Sequence, residues 1–147
     1  MKNYFSSTVL TIGILVVLIT ESIGQSMPMD ISNVSSCDLQ IQMIAQSTSN
    51  CTETCTTEVY CANAYDITSI PPCENESYEW MYCIVTTADV DCNLCTSTPI
   101  TKIIANIFHP MYDPCNISYP RAETITGNYC CDGDNDVYWS NNNLINL

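Results

Sequence analysis

The chain has 147 residues, of which 16 are acidic and three are basic, so its formal net charge at pH 7 is −13. Nucleic acids and anionic membrane surfaces repel such a protein, which excludes them as partners. Eleven cysteines in a chain of this length are typical of an exported scaffold, because a small core needs disulfides to offset chain entropy.

Residues 1–24 have the pattern of a secretory signal peptide. Lys2 supplies a positive charge, 9–19 is an apolar run, and Ser22 and Gly24 are small residues before a cleavage site at Gln25. The apolar run is short for a bilayer span. We therefore expect a secreted, extracellular product that does not insert into a membrane.

The rest of the chain divides into residues 25–42, either a pro-segment or a flexible lead-in, and a disulfide-stapled domain over 43–147. The pro-segment interpretation comes from the odd number of cysteines, since its removal would take away Cys37 and leave ten. A free thiol or a covalent dimer would explain the odd number equally well. The predicted disulfide cysteines are Cys51, Cys55, Cys61, Cys73, Cys83, Cys92, Cys95, Cys115, Cys130 and Cys131.

Helical spacing of apolar residues indicates up to four helices, over 37–47, 51–62, 77–88 and 98–108. The strongest pattern begins with Thr98 as N-cap and Pro99 at the first helical position. From Ile100 onwards, apolar residues recur at i, i+3, i+4, i+7 and i+8. The sequence thus predicts a small, mainly α protein, a bundle of three to four short helices with a loop-rich C-terminal third.

No motif in the chain indicates catalysis or a cofactor. Cys92-Asn-Leu-Cys95 favours structural disulfides over a metal or redox site in an exported protein. His109 is the single histidine and no nucleophile motif accompanies it. We therefore expect a protein that is not an enzyme and needs no cofactor.

A short acidic run near the C-terminus is the one candidate metal site, for calcium. Asp132, Asp134 and Asp136 follow the D-x-D-x-D start of a calcium loop. The later positions that require glycine and a bidentate glutamate hold Val137 and Asn143. That mismatch favours a solvated acidic turn.

Four sequons make asparagines candidates for N-glycosylation, which would mark surface positions. The second of them contains Cys51, a predicted disulfide residue, between its asparagine and threonine. The candidates are Asn33, Asn50, Asn75 and Asn116.

The plan of the chain resembles the secreted mating pheromones of hypotrich ciliates. Residues 50–58, with Cys51 and Cys55 among acidic residues and threonines, are similar to the Cys-x3-Cys helix of some of them. The resemblance implies cleavage of a precursor to an acidic helical bundle. It also implies a diffusible signal that binds a cell-surface receptor protein and does no chemistry.

Two other binding functions stay open. The spacing of the cysteines from 37 to 92 roughly fits the six-cysteine chitin-binding modules of invertebrates, with Tyr78, Trp80 and Tyr82 as candidate sugar contacts. The adjacent Cys130 and Cys131 are similar to a feature of three-finger ectodomains and toxins.

Overall fold

The computed structural model describes residues 27–73, 78–87, 100–109, 115, 118–126, 134–141 and 143–147. In this part of the chain all regular secondary structure is β. The expected mainly α bundle is wrong, because these residues contain strands and no helix. None of them therefore forms a helix of the length and apolar character needed to cross a membrane. The strands are β1 (Met29–Asn33), β2 (Leu39–Ser47), β3 (Thr54–Thr56), β4 (Tyr60–Ala62), β5 (Asp66–Ile70), β6 (Tyr78–Thr87), β7 (Thr101–Ala105), β8 (Ala122–Ile125), β9 (Asn135–Asn141) and β10 (Leu144–Asn146).

The strands form two sheets. Sheet A has the order β5-β1-β10-β9-β8, in which β1 and β10 are parallel and the other pairs are antiparallel. Sheet B has the order β3-β2-β6-β7, and all its pairs are antiparallel. Strands β3 and β4 follow one another along the same edge of β2, opposite 44–46 and 39–41 respectively.

One hydrophobic core joins the two sheets, so the architecture is a β-sandwich. Trp139 of sheet A donates its indole N–H to the backbone oxygen of Ile104 in sheet B, at 3.3 Å. The largest fully buried side chains come from both sheets: Trp139, Met29, Ile31, Leu39, Ile41, Met43, Ile70, Met81, Ile104, Ile125, Ile145 and Leu147.

Strand β2 shows why the helical prediction for 37–47 is wrong. Leu39, Ile41 and Met43 are fully buried, whereas the two glutamines between them are partly exposed. This alternation with period two is the pattern of a strand with one face on a core. Ile44, at i+3 from Ile41, is also buried, but it lies on the opposite face of β2 and outside the core cluster, so the helical spacing of the two isoleucines is coincidental.

The other three predicted helices are strands for a related reason. Residues 78–87 and 101–105 are rich in aromatic and β-branched side chains, which pack well on a pleated sheet. Ile103 and Ile104 of β7 pair with Ile84 and Cys83 of β6 and so point to opposite faces. Residues 51–62 form a turn, β3, a link and β4. Thr98 and Pro99, the predicted start of the fourth helix, lie outside the described residues.

The C-terminal third was expected to be loop-rich. It contains the strands β8, β9 and β10.

The segment predicted to be a lead-in is structural from residue 29 onwards. Strand β1 lies inside sheet A, hydrogen-bonded to β5 on one side and to β10 on the other. The expected boundary between residues 42 and 43 falls within β2, whose core-facing side chains are fully buried. Cleavage at that boundary would remove an interior strand of one sheet and half an interior strand of the other.

Disulfides confirm the cysteine-rich, disulfide-bonded class. Cys55 of β3 is bonded to Cys73 after β5, so the bridge joins the edge of sheet B to the edge of sheet A. Cys51 is bonded to Cys115 across 64 residues of chain. Such bonds are compatible with an extracellular protein.

Candidate functional site

The outer face of sheet A presents one row of side chains across all five strands. The register aligns Ile67 of β5, Ser32 of β1, Asn146 of β10, Tyr138 of β9 and Ala122 of β8. In β1, β9 and β10 the residues on either side of this row are buried, so the row faces away from the core. Ile67 and Tyr138 are both well exposed, so this face presents apolar groups to solvent.

An apolar patch lies where strands β1 and β5 meet at one end of this face. Among the described residues, Tyr65, Val34 and Ile67 are the most exposed large hydrophobic side chains, at 74%, 68% and 66%. Val34 extends the β1 ladder, since its N–H donates to the oxygen of Leu147 at 3.1 Å. Because Ser32 pairs with Ile67 and Asn33 with Asp66, Val34 and Ile67 are diagonal neighbours on the outer face, and Tyr65 is the turn residue just before β5. We call Val34, Tyr65 and Ile67 the end patch.

The turn that carries Tyr65 is held in an unusual conformation. Tyr65 has φ of 58°, in the left-handed region that costs a residue with a Cβ about 1–2 kcal/mol. Next to it, Ala64 donates its backbone N–H to Oδ1 of Asp38 at 2.7 Å. The β1–β2 link thereby positions the turn, and with it the exposed tyrosine ring.

Asn33 lies buried directly beneath the end patch, with 1% of its surface exposed. Its Nδ2 donates to the backbone oxygens of Cys37 at 2.7 Å and Ala62 at 2.8 Å. Its Oδ1 accepts from the N–H and the hydroxyl of Ser35, at 3.0 and 2.6 Å. One carboxamide therefore ties the β1–β2 link to the end of β4. Asn33 is therefore not at the surface, as its sequon led us to expect, because Nδ2 is enclosed and donates both of its hydrogens.

The remaining sequons differ in what the structure shows. Asn50 lies near the surface before β3, and Nδ2 donates to Oε1 of Glu53 at 2.9 Å. Asn75 and Asn116 lie outside the described residues.

Carboxylates surround the apolar groups of this face. Asp30 and Asp136 are exposed on it, and Asp66 is exposed between Tyr65 and Ile67, where its Oδ1 accepts from the N–H of Ile67 at 2.8 Å. The two cations of the predicted mature chain lie next to β8, at the opposite edge of sheet A from β5. Lys102 forms an ion pair with Glu123 at 3.1 Å, and Arg121 donates to the oxygen of Ile107 at 3.0 Å.

A shallow depression lies on the β8–β9 side of the face. It is lined by Ala122, Glu123, Thr124, Asp136 and Tyr138. The hydroxyl of Thr124 donates to Oδ1 of Asp136 at 2.7 Å, which occupies one oxygen of this calcium candidate. Asp134 is exposed, Asp132 lies outside the described residues, and no metal-binding group of three or more acidic, histidine or cysteine side chains occurs in the described part.

No family model, curated protein or solved structure matches this chain significantly. Its function has therefore to be inferred from the chemistry of its own surface and core.

Among the described cysteines, the free thiol is at a different position from the one expected. Cys37, predicted to be unpaired or removed, is disulfide-bonded, as is Cys61, whereas the structure leaves Cys83 as a buried free thiol. Cys83 lies on β6 between Met43 of β2 and Ile104 of β7, facing the core. Burial raises the pKa of this thiol to about 12. Cys92, Cys95, Cys130 and Cys131 lie outside the described residues.

His109 is a structural residue of the loop after β7. Its side chain is buried, and desolvation lowers its pKa, with the Glu79 backbone opposing that shift. The loop is anchored by Asn106, whose N–H and Nδ2 donate to the oxygens of Met81 and Trp80 at 2.9 and 3.1 Å. This setting holds a neutral imidazole against β6.

Trp80, a candidate sugar contact, is unavailable on the surface. It is 3% exposed and its indole N–H donates to the oxygen of Met27 at 2.6 Å. Tyr78 packs partly against the core, and Tyr82 lies against the ring of Tyr119 with ring centres 4.8 Å apart. Trp80 is therefore buried, whereas Tyr78 and Tyr82 stay partly exposed.

Sequence reasoning missed the end patch and the role of Asn33. The sequon drew attention to Asn33 as a surface residue, although Met29, Ile31 and Asn33 share one strand face by period two. That alternation was the signal that Asn33 points inward. Tyr65 and Ile67 gave no signal, since isolated apolar residues are common on protein surfaces.

Proposed function

We propose that this protein is a secreted, non-catalytic binding protein that recognises a cell-surface receptor through the end patch and the acidic face around it. The observation that carries the proposal is that the three most exposed large hydrophobic residues of the described part all lie at one end of the β1–β5 ladder. Exposed apolar groups rimmed by polar ones mark interaction surfaces, because their removal from water contributes about 25 cal/mol per Å².

The charge of the chain indicates the chemistry of the partner. Carboxylates of Asp30 and Asp66 border the end patch, and the whole chain has a net charge of −13. A receptor with an apolar centre and a rim of lysines and arginines would complement this surface. Long-range attraction between the two would increase the rate of association at low ionic strength.

The scaffold beneath the end patch favours binding by a preformed surface. Asn33 fixes the β1–β2 link to β4, and Asp38 fixes the turn that carries Tyr65. Side chains and loops that are already ordered lose less entropy on binding. Tyrosine in particular supplies a large contact area with few rotatable bonds.

A mating-pheromone role is the signalling form of this proposal. It is supported by the acidic composition, the disulfides and the predicted signal peptide that the chain has in common with that family. The helical bundle of the family is absent from the described residues, so we transfer only the mode of action, a diffusible ligand for a receptor.

The proposal is tested by saturation binding of labelled protein to intact cells of the source organism. The double variant Tyr65→Ser/Ile67→Ser should lose at least tenfold in affinity, because central apolar contacts dominate interface energies. Phe108→Ser is the matched control, since Phe108 is 49% exposed but lies in the β7–β8 connection. Each variant's thermal unfolding is compared with that of the wild type.

Three results distinguish the outcomes. Loss of binding confined to the end-patch variant, with unchanged unfolding, supports the proposal. Equal binding of both variants would show that the end patch is not the recognition surface. If the wild type showed no saturable, protease-sensitive binding, the proposal of a cell-surface receptor protein would be wrong.

A further inference from the structure

Two sequons of this chain fold into the same local turn. In each, Oδ1 of the asparagine accepts from the backbone N–H and the hydroxyl of the residue two positions later. For Asn33 and Ser35 these distances are 3.0 and 2.6 Å. For Asn50 and Thr52 they are 3.1 and 2.8 Å. The two sites thus have the same local geometry. What differs between them is the surroundings of Nδ2, the atom that would carry a glycan.

At Asn33, both hydrogens of Nδ2 are already in use. They are donated to the oxygens of Cys37 and Ala62, in bonds that are buried. A carboxamide nitrogen has two hydrogens, so replacing one by a sugar removes one of these bonds. The sugar would also need space where the asparagine is 1% exposed.

At Asn50, one hydrogen of Nδ2 remains available. The other is donated to Oε1 of Glu53 at 2.9 Å, in a bond that is itself exposed. The residues that follow, 51–53, are all exposed. A sugar on Nδ2 can therefore project into solvent while the bond to Glu53 persists.

We infer that the folded, secreted protein carries an N-linked oligosaccharide on Asn50 and none on Asn33, because a chain with a sugar on Asn33 could not form the buried bonds of this amide. In this reaction Nδ2 of Asn50 forms a bond to C1 of an oligosaccharide carried on a polyprenyl diphosphate. The bond from C1 to the diphosphate oxygen breaks, polyprenyl diphosphate leaves, and Nδ2 loses one proton. Since Val34 follows Asn33 directly, the end patch stays free of sugar.

The inference depends on transfer of the chain into the secretory pathway, which the proposed function also assumes. The full chain with its leader is expressed in a eukaryotic host that secretes a known glycoprotein in parallel. Disulfide-intact protein from the medium is digested with peptide-N-glycosidase in ¹⁸O-water, and its peptides are analysed by mass spectrometry. We expect ¹⁸O-labelled aspartate in place of Asn50 and unmodified Asn33.

Two threonine variants provide the matched comparison. Thr52→Ala destroys the sequon and should remove one glycan mass, whereas Thr54→Ala, exposed in β3 two residues later, should leave the mass unchanged. A glycan on Asn33 of the folded protein, or an unglycosylated Asn50, would overturn the inference. Either result would leave the proposed secretion of the protein unaffected. A chain that never reaches the medium and carries no glycan would overturn the secretory premise of the proposed function as well.

Discussion

The side chain of Asn33 shows how one buried amide can organise a whole end of the protein. It makes four hydrogen bonds, to the β1–β2 link and to the end of β4, within a site that is closed to water. Each buried polar group left without a partner costs about 1–3 kcal/mol. The rigidity of the end patch above it therefore depends on this residue.

We predict that Asn33→Ala lowers the free energy of unfolding by about 2–4 kcal/mol, because it removes the Nδ2 donor from the oxygen of Ala62 and leaves the oxygen of Cys37 with the longer bond from the Ser35 hydroxyl. Asn50→Ala, which removes the surface member of the matched pair, should cost about 0.5 kcal/mol or less. Urea denaturation followed by tryptophan fluorescence measures both. Equal effects of the two changes would contradict the role assigned to Asn33.

Cys83 is a thiol whose reactivity is suppressed by its place in the core. Its pKa rises from 9.0 to about 12 through burial, which lowers the thiolate fraction near neutral pH roughly a thousandfold. We predict that iodoacetamide at pH 8 labels the Cys83 peptide roughly a thousand times more slowly in native protein than in 6 M guanidinium. Peptide mapping against a Cys83→Ala variant measures this, and rapid native labelling would place the thiol at the surface.

At the scale of single elements, the strands were mispredicted where β-branched residues happened to fall at helical spacing. Ile103 and Ile104 occupy i+3 and i+4 of the helical stripe that starts at Ile100, yet in β7 they point to opposite faces of the sheet. Ile44 lies on the predicted helical stripe with Ile41, yet in β2 their separation of three residues places them on opposite faces. Period two at 39–43 and the aromatic, β-branched composition of 78–87 were legible in the sequence. Bulges and partner strands depend on tertiary contacts and were not.

The loop after β7 makes stability depend on pH through its packing against β6. His109 has its pKa lowered from 6.5 by burial, so the unfolded chain binds more protons than the native protein below neutral pH. The free energy of unfolding should therefore fall as pH decreases through about 6.5. Glu79 acts in the opposite sense, since its pKa is raised from 4.5 by desolvation and protonation in the folded state relieves that cost at lower pH.

We predict that His109→Gln removes the loss of stability between pH 7.5 and 5.5. Glu79→Gln should retain this loss and should be more stable than the wild type at pH 7.5. Thermal unfolding across the pH range measures both variants. An unchanged slope in His109→Gln would show that other groups dominate the dependence.

At the scale of the molecule, the disulfide class was predictable and the fold was not. Cysteine number, length and charge depend on composition alone, whereas a sandwich requires pairings such as that of β1 with β10, more than a hundred residues apart. The disulfides reinforce such distant pairings by restricting the unfolded chain. In the chain-entropy account, Cys51–Cys115 and Cys55–Cys73 contribute about 4 and about 3 kcal/mol.

We predict that the paired change Cys51→Ala/Cys115→Ala destabilises the protein more than Cys55→Ala/Cys73→Ala, because its closed loop is longer. Both variants should unfold at lower guanidinium concentration than the wild type, as followed by circular dichroism. Cys83→Ala, which breaks no bridge, serves as the control. A reversed order would indicate that native packing around the bridges outweighs the loop-closure effect.

The parallel pairing of β1 with β10 also has a consequence for biosynthesis. Strand β1 leaves the ribosome early, but one of its two flanking strands is made only after residue 143. During translation one side of β1 is therefore an unpaired edge, which can recruit the wrong strand from another chain. The hydrogen bonds between β1 and β10 can form only after β10 has been synthesised, so the chain needs protection by chaperones until then. Production at high rates should therefore favour aggregates in which β1 pairs with a strand of another chain.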